Sequence, residues 1–298
     1  MELPSEIADR PFTVAEARAL GIPRSALRRE SLSTCLRGVR ALPQVPDTLA
    51  AACVAALLLV PPGALVSHAT ALRLHDVDLP RRLDDDNRIH VTVGSRSTVS
   101  ARPELRVHRA AAQPPSTVRH GIPTATAMAA WIQVAARASI DDLVVVADGL
   151  MRRGRALATP ETLCGGVDQL RPGTRGIRRL RLAVALARPG TESVMETLTR
   201  LVLVHAGLPC PVVNTEVRDG RGRFLARPDL HYPDLKIAIE YDGDVHRTDP
   251  STWRRDVERR QRLEEAGWLI VTATADDVLR QPERLVARVR RARRRRAA

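Results

Sequence analysis

The chain has 298 residues, enough for two or three domains with their own cores. Its 44% apolar content excludes a disordered chain, and with only 2% aromatic residues the cores must be built from Leu, Val, Ile and Ala. The formal net charge of +13 is carried almost wholly by arginine, with one lysine, Lys236, and such an excess attracts polyanions, nucleic acid foremost.

Four cysteines, Cys35, Cys53, Cys164 and Cys210, are far apart and form no CxxC pair, which argues against a zinc ribbon or redox motif and for free thiols in a reducing cytoplasm. The first residues are acidic and lack the apolar core of a signal peptide. The longest apolar stretch, LAAACVAALLLVPPGALV, is interrupted by Pro61 and Pro62 and reads as a buried helix, so no membrane span is expected.

In residues 12–32, Thr13 and Glu16 form a capping box that starts a helix, and Gly21 can take the left-handed conformation that ends it. Pro23 suits the first position of a second helix, with Ala26 and Leu27 inward and Arg24, Arg28 and Arg29 outward. The segment CLRGVRALP then alternates like a short strand or wing. Together these predict a DNA-binding winged helix-turn-helix over residues 1–60, although an ordinary helical hairpin has the same pattern.

A mixed α+β region is expected over 61–188. A helix over 47–60 leads into it, and Ser67 should cap the next helix. RIHVTVG (88–94) and ELRVHRA (104–110) alternate as paired strands, and helices follow over 124–139, over 140–154 and up to Arg188. His68, His75, His90 and His108 show no metal-ligand spacing, and the sequence alone assigns them no role.

The region 189–298 reads α-β-β-β-α-β-α. Its helix over 193–208 has a capping box from Ser193 to Glu196. Strands are expected over 212–219, 224–232 and 235–243, then a helix over 249–267, a strand over 268–275 and a closing basic helix. Residues 288–298 hold seven arginines and no predicted core. In the third strand, Leu235, Ile237, Ile239 and Tyr241 share one face, and Lys236, Ala238, Glu240 and Asp242 the other. A hairpin would bring Asp229 alongside Glu240. Carboxylates converging in this way suit a hard cation, Mg²⁺ or Mn²⁺, with Asp229 and Glu240 as its ligands; a surface turn such as Asp242-Gly243 is the other reading.

Pro228-Asp229, ten intervening residues and Glu240-Tyr241-Asp242 resemble the PD-(D/E)xK nuclease pattern. SVMET, RPDL, IAIEYDGDVH and RRDVERRQRLEEAGW together resemble the very-short-patch-repair-like endonuclease domains, over roughly residues 190–290. PFTVAEARALGIPRSALRRE and LRGVRALP more loosely resemble the winged-helix region of AbiEi-like type IV antitoxins. The resemblance implies a restriction-endonuclease-like fold, with Glu196 as its first-helix acid, Asp242 as a supporting acid and a metal at Asp229 and Glu240. The family lysine is replaced by Asp242, which leaves His246 to carry the proton, while Arg255 and Arg259, one helical turn apart, would hold phosphate. The expected activity is Mg²⁺-dependent phosphodiester hydrolysis on DNA. The alternative is a non-catalytic DNA-binding regulator or antitoxin that acts with a toxin–antitoxin partner protein.

Overall fold

The structure, a computed structural model, describes residues 4–28, 32–243 and 250–297. It divides into two compact units, residues 1–138 with 171–177, and residues 139–170 with 178–298. The helices of 139–170 and 178–188 thus belong with the C-terminal unit.

The first unit opens with α1 (Ser5–Ala8), β1 (Phe12–Thr13) and α2 (Val14–Ala19). The capping box forms as expected: the Thr13 hydroxyl accepts the Glu16 N–H, and the Glu16 carboxylate accepts the Thr13 N–H. Gly21 is left-handed at φ +82. After Pro23, the expected second helix is, among the described residues, one 3₁₀ turn at Ala26–Arg28. Ala26 and Leu27 do point inward, packing with Ile7, Phe12, Ala17 and Ile22. Strands β2 (Ser33–Leu36) and β3 (Val39–Ala41) form a hairpin that extends to β1 in the order β1-β3-β2.

Helix α3 (Leu49–Leu57), capped by the Thr48 hydroxyl, precedes β4 (Leu65–Val66), α4 (His68–Leu74) and α5 (Arg81–Asp84). Then come β5 (Ile89–Gly94), β6 (Leu105–Ala110), β7 (Ser116–Arg119), β8 (Ile122–Ala125) and α6 (Ala127–Val134). Among the described residues these strands form a five-stranded sheet in the order β6-β5-β4-β8-β7. The expected pairing of 88–94 with 104–110 is present as the parallel ladder β5–β6. Ser67 is the N-cap residue of α4, as expected, but its side chain makes no capping hydrogen bond: its hydroxyl is hydrogen-bonded to His68 Nδ1 at 3.0 Å. Segment 171–177 packs close to α6: at Gly176 (φ +87) a Cβ would lie 2.4 Å from the Ala135 carbonyl oxygen, so any side chain would force the segment away.

The second unit contains α7 (Ile140–Leu150), α8 (Pro160–Asp168), α9 (Ile177–Leu186, from its second residue) and α10 (Val194–His205). Helix α10 is tied to α7 by a fully buried ion pair, Arg200 Nη2 to Asp148 Oδ2 at 2.6 Å. The strands that follow are shorter than expected. The 212–219 run splits into β9 (Val212–Val213) and β10 (Val217–Arg218) at Asn214, which sits at φ +45. The 224–232 run splits into β11 (Phe224–Ala226) and β12 (Leu230–Tyr232) around Pro228, which has no N–H for a ladder. Strands β10 and β11 form their own ribbon, and the main sheet has the order β14-β13-β12-β9, with β13 (Ile237–Tyr241), α11 (Pro250–Glu265) and β14 (Leu269–Ala273), followed by α12 (Ala275–Leu279) and α13 (Pro282–Ala297).

The alternation expected along β13 is observed. Ile237 and Ile239 enter the core shared with α10, α12 and α13, while Ala238 packs on the other side with Leu263 and Trp268. The closing basic helix is more than a charged tail. Val289 and Ala292 are buried in the main core, Arg288 pairs with Asp277 at 2.6 Å, and Arg293 lies 4.8 Å over the Tyr232 ring. Deleting residues 288–298, which the sequence alone marks as coreless, should therefore lower the unfolding free energy by at least about 3 kcal/mol in a urea titration. An unchanged midpoint would show that this helix end packs on nothing that matters.

Candidate active site

The acidic site is built on the β12–β13 hairpin. The strands are joined by a 3₁₀ turn at Pro233–Leu235, and Lys236 reverses the chain at φ +47. The antiparallel register sets Leu230 opposite Ile239 and His231 opposite Ala238. Continued by one residue, it sets Asp229 opposite Glu240, side chains on one face. Asp229 Oδ2 accepts the Tyr241 backbone N–H at 2.8 Å, which fixes this carboxyl to the end of β13.

Glu240 is mostly buried and forms an ion pair with Arg259 of α11. Glu196 is buried in the first turn of α10 and takes three donors: the Glu192 N–H at 2.8 Å, the Ser193 hydroxyl at 3.0 Å and Asn214 Nδ2 at 2.6 Å. The Ser193 hydroxyl caps the helix, but the reciprocal half of the expected capping box is replaced by the Glu192 N–H. Glu196 is thus drawn toward Asn214, whose own N–H donates to the Asp229 carbonyl at 3.0 Å.

The charges of Glu196 and Glu240 act on Asp229. The Asp229 carboxyl is pushed up to about 7, first by burial, then by the negative charges of Glu196 and Glu240; the Tyr241 N–H and the Arg259 charge oppose this. Near neutral pH the cluster therefore gains from a proton or a cation. Arg259 already supplies one positive charge, at Glu240.

Of the other residues singled out in the sequence, Asp242 is exposed just past β13, with its N–H donating to the Ala273 carbonyl at 2.8 Å. Arg259 meets Glu240, and Arg24 is exposed in the first unit. Arg29 and His246 lie outside the described residues, and Arg28 and Arg255 are described in backbone only.

Two neighbours were not singled out in the sequence. Asn214 links Glu196 to the Asp229 backbone, and a left-handed-tolerant residue interrupting an apolar run was its only signal. His231, two residues after Asp229, is buried, with Nε2 3.2 Å from the Thr215 hydroxyl and its ring edge-on to Trp268. Nothing in its spacing marked it. In the first unit, His68, His90 and His108 converge although their sequence spacing is irregular.

No family model matches the chain, and no solved structure matches it. It is 36% identical over 151 residues to uncharacterized proteins of Mycobacterium tuberculosis strains CDC 1551 / Oshkosh and ATCC 25618 / H37Rv. That alignment covers 47% of this chain and 55% of each relative, so the chain spans about half the length of the curated relatives it matches.

Proposed function

We propose that this chain is a DNA-associated endonuclease that hydrolyses phosphodiester bonds with Mg²⁺ or Mn²⁺ held by Asp229 and Glu240. The observation that carries the reading is the Asp229 carboxyl, buried beside the negative charges of Glu196 and Glu240 on adjoining elements and pushed up by both. A buried carboxyl raised by neighbouring carboxylates is suited to a hard divalent cation, which removes the repulsion that a proton otherwise relieves. A cation so held supplies Lewis acidity toward a phosphate oxygen and acidifies a water. Glu196 and Asp242 serve as supporting acids, and His246 carries the proton. Arg255 and Arg259 lie one turn apart on α11 and neutralise flanking phosphates. In the first unit, α2, the turn at Ala26–Arg28 and the three short strands form the winged-helix module of this reading, with Arg24, Arg28 and Arg29 on DNA.

The second reading is a DNA-binding regulator or antitoxin on a degenerate nuclease fold, acting with a protein partner. Two observations favour it: the family lysine position is Asp242, and Arg259 already balances Glu240.

Incubating supercoiled plasmid with the full chain and Mg²⁺, Mn²⁺ or EDTA separates the two. The nuclease reading expects metal-dependent nicking, slowed roughly 10³-fold in Glu240→Gln, the several kcal/mol that metal charge stabilisation supplies. Binding without nicking in either metal would leave the regulator. Both readings expect DNA binding that weakens with salt, each neutralised phosphate contributing about 0.9 to the log–log slope. Replacing Arg24, Arg28 and Arg29 by Ala should flatten that slope, and an unchanged slope would remove the first unit from the DNA interface.

A further inference from the structure

We propose that His68, His90 and His108 form a transition-metal site, best suited to Zn²⁺, in the first unit and separate from the carboxylates. Ring nitrogens of the three residues all lie within 4.8 Å of one another. The fold explains the convergence. His90 lies on β5 and His108 on β6, where the parallel register sets His108 opposite Thr92, so both rings rise from one face of adjacent strands. His68 starts α4, and the Ser67 N–H just before it donates to the His90 carbonyl at 2.9 Å, which holds the helix start against β5.

The surrounding groups prepare these nitrogens as ligands. His90 Nε2 lies 3.2 Å from Asp86 Oδ2, so its N–H is spent on the carboxylate and Nδ1 carries the lone pair, buried and with no hydrogen-bond partner. Asp86 is itself fixed by Arg88 at 2.7 Å and Arg106 at 2.7 Å. His68 Nδ1 is taken by the Ser67 hydroxyl, which leaves Nε2 as its second nitrogen. His108 Nε2 is buried and has no partner. A carboxylate or hydroxyl on the far nitrogen is the arrangement that orients a metal-bound imidazole and raises its basicity. Two buried, unpartnered ring nitrogens are costly in a finished core and fitting at a ligand site.

Two further observations bear on the site. His68 is left-handed, at φ +53, a conformation disfavoured for a residue with a side chain, and its N–H is held by Gln133 Oε1 at 3.0 Å. The His68 and His108 rings are stacked, with centroids 3.5 Å apart and planes at 14°; because imidazole lone pairs lie in the ring plane, one ring turns out of the stack for both to meet one ion. Neutral imidazole is the form that binds metal. Tetrahedral zinc with Zn–N bonds of about 2.0 Å needs ligand nitrogens about 3.3 Å apart, which side-chain rotation can supply from the present spacing. The Thr92 hydroxyl, at the register position opposite His108, is likewise buried without a hydrogen-bond partner.

The test uses the full chain, stripped with chelator, dialysed against Zn²⁺ and titrated separately with Co²⁺, whose visible absorption reports tetrahedral nitrogen coordination. The expected result is one Zn²⁺ per chain and a Co²⁺ spectrum, both lost in His108→Gln and His68→Gln and both kept in Glu240→Gln. Ser67→Ala removes only the outer partner of His68 and should weaken binding by about 10- to 100-fold with the fold intact by circular dichroism. This keeps the test decisive if a ligand variant fails to fold. Absence of bound Zn²⁺ in the wild type, or uptake unchanged in the folded Ser67→Ala and His68→Gln variants, would overturn the site.

Discussion

Replacing Asp148 by alanine is expected to lower the unfolding free energy by about 3–5 kcal/mol, the cost of leaving one member of a buried ion pair unpaired. Asp148 and Arg200 both have fully buried side chains. The Asp148 carboxylate accepts Arg200 Nη2 at 2.6 Å, the Thr197 hydroxyl at 3.0 Å and the Arg188 N–H at 2.7 Å. Without it, Arg200 keeps the Leu186 carbonyl at 2.8 Å, and a guanidinium buried between helices is left without a counter-charge. The double variant Asp148→Leu with Arg200→Met removes both charges and should recover a large part of the loss. Urea titrations of the wild type, the single and the double variant check this. A single variant within about 1 kcal/mol of wild type would show that the pair contributes little. The consequence extends to the acidic site, because Glu196 lies one turn before Arg200 on α10.

The C-terminal unit is the more readable part of the chain, and its physics explains why. The alternation IAIEY has strict period two, so the faces of β13 follow from the sequence, and the register with β12 follows from the short turn between them. The capping signals at Thr13 and Ser193 also locate helix starts, since a hydroxyl followed three residues later by an acid satisfies orphan N–H groups locally. What the sequence hides is non-local. The His68, His90 and His108 convergence depends on a parallel register and on where α4 begins, neither of which is written in the spacing of the residues. The role of Asp148 is hidden for the same reason, because its partner lies 52 residues away. The last helix misleads in the other direction. Its arginines dominate the composition, yet Leu285, Val286, Val289 and Ala292 recur at helical spacing beneath them and make it a core element.

Asp229→Asn is expected to make the protein more stable than wild type at pH 8 and nearly equal to it at pH 4. Burial and the charges of Glu196 and Glu240 push the Asp229 carboxyl up to about 7 in the folded chain, well above its ordinary 3.8. Below that ordinary value both states carry the proton, and the folded chain has its full stability. As pH rises toward 7, the unfolded chain releases the proton first, so stability falls through this window and the loss is complete above it. Three units correspond to about 4 kcal/mol at 1.36 kcal/mol per unit, and relaxation around a partly buried group reduces the expected difference to about 2 kcal/mol. Asparagine keeps an oxygen for the Tyr241 N–H at 2.8 Å and carries no charge against Glu196 and Glu240. If Asp229 and Glu240 hold Mg²⁺, the metal competes with that proton. For a dissociation constant of about 1 mM, 10 mM Mg²⁺ then adds roughly 1.4 kcal/mol to wild type at pH 8, less at pH 5 and nothing to Asp229→Asn. Thermal melts across pH, with and without Mg²⁺, read all of these at once. A variant less stable than wild type at pH 8 without metal would show that the ionised carboxylate is favoured where it stands, and the electrostatic argument for a cation at this site would fail with it.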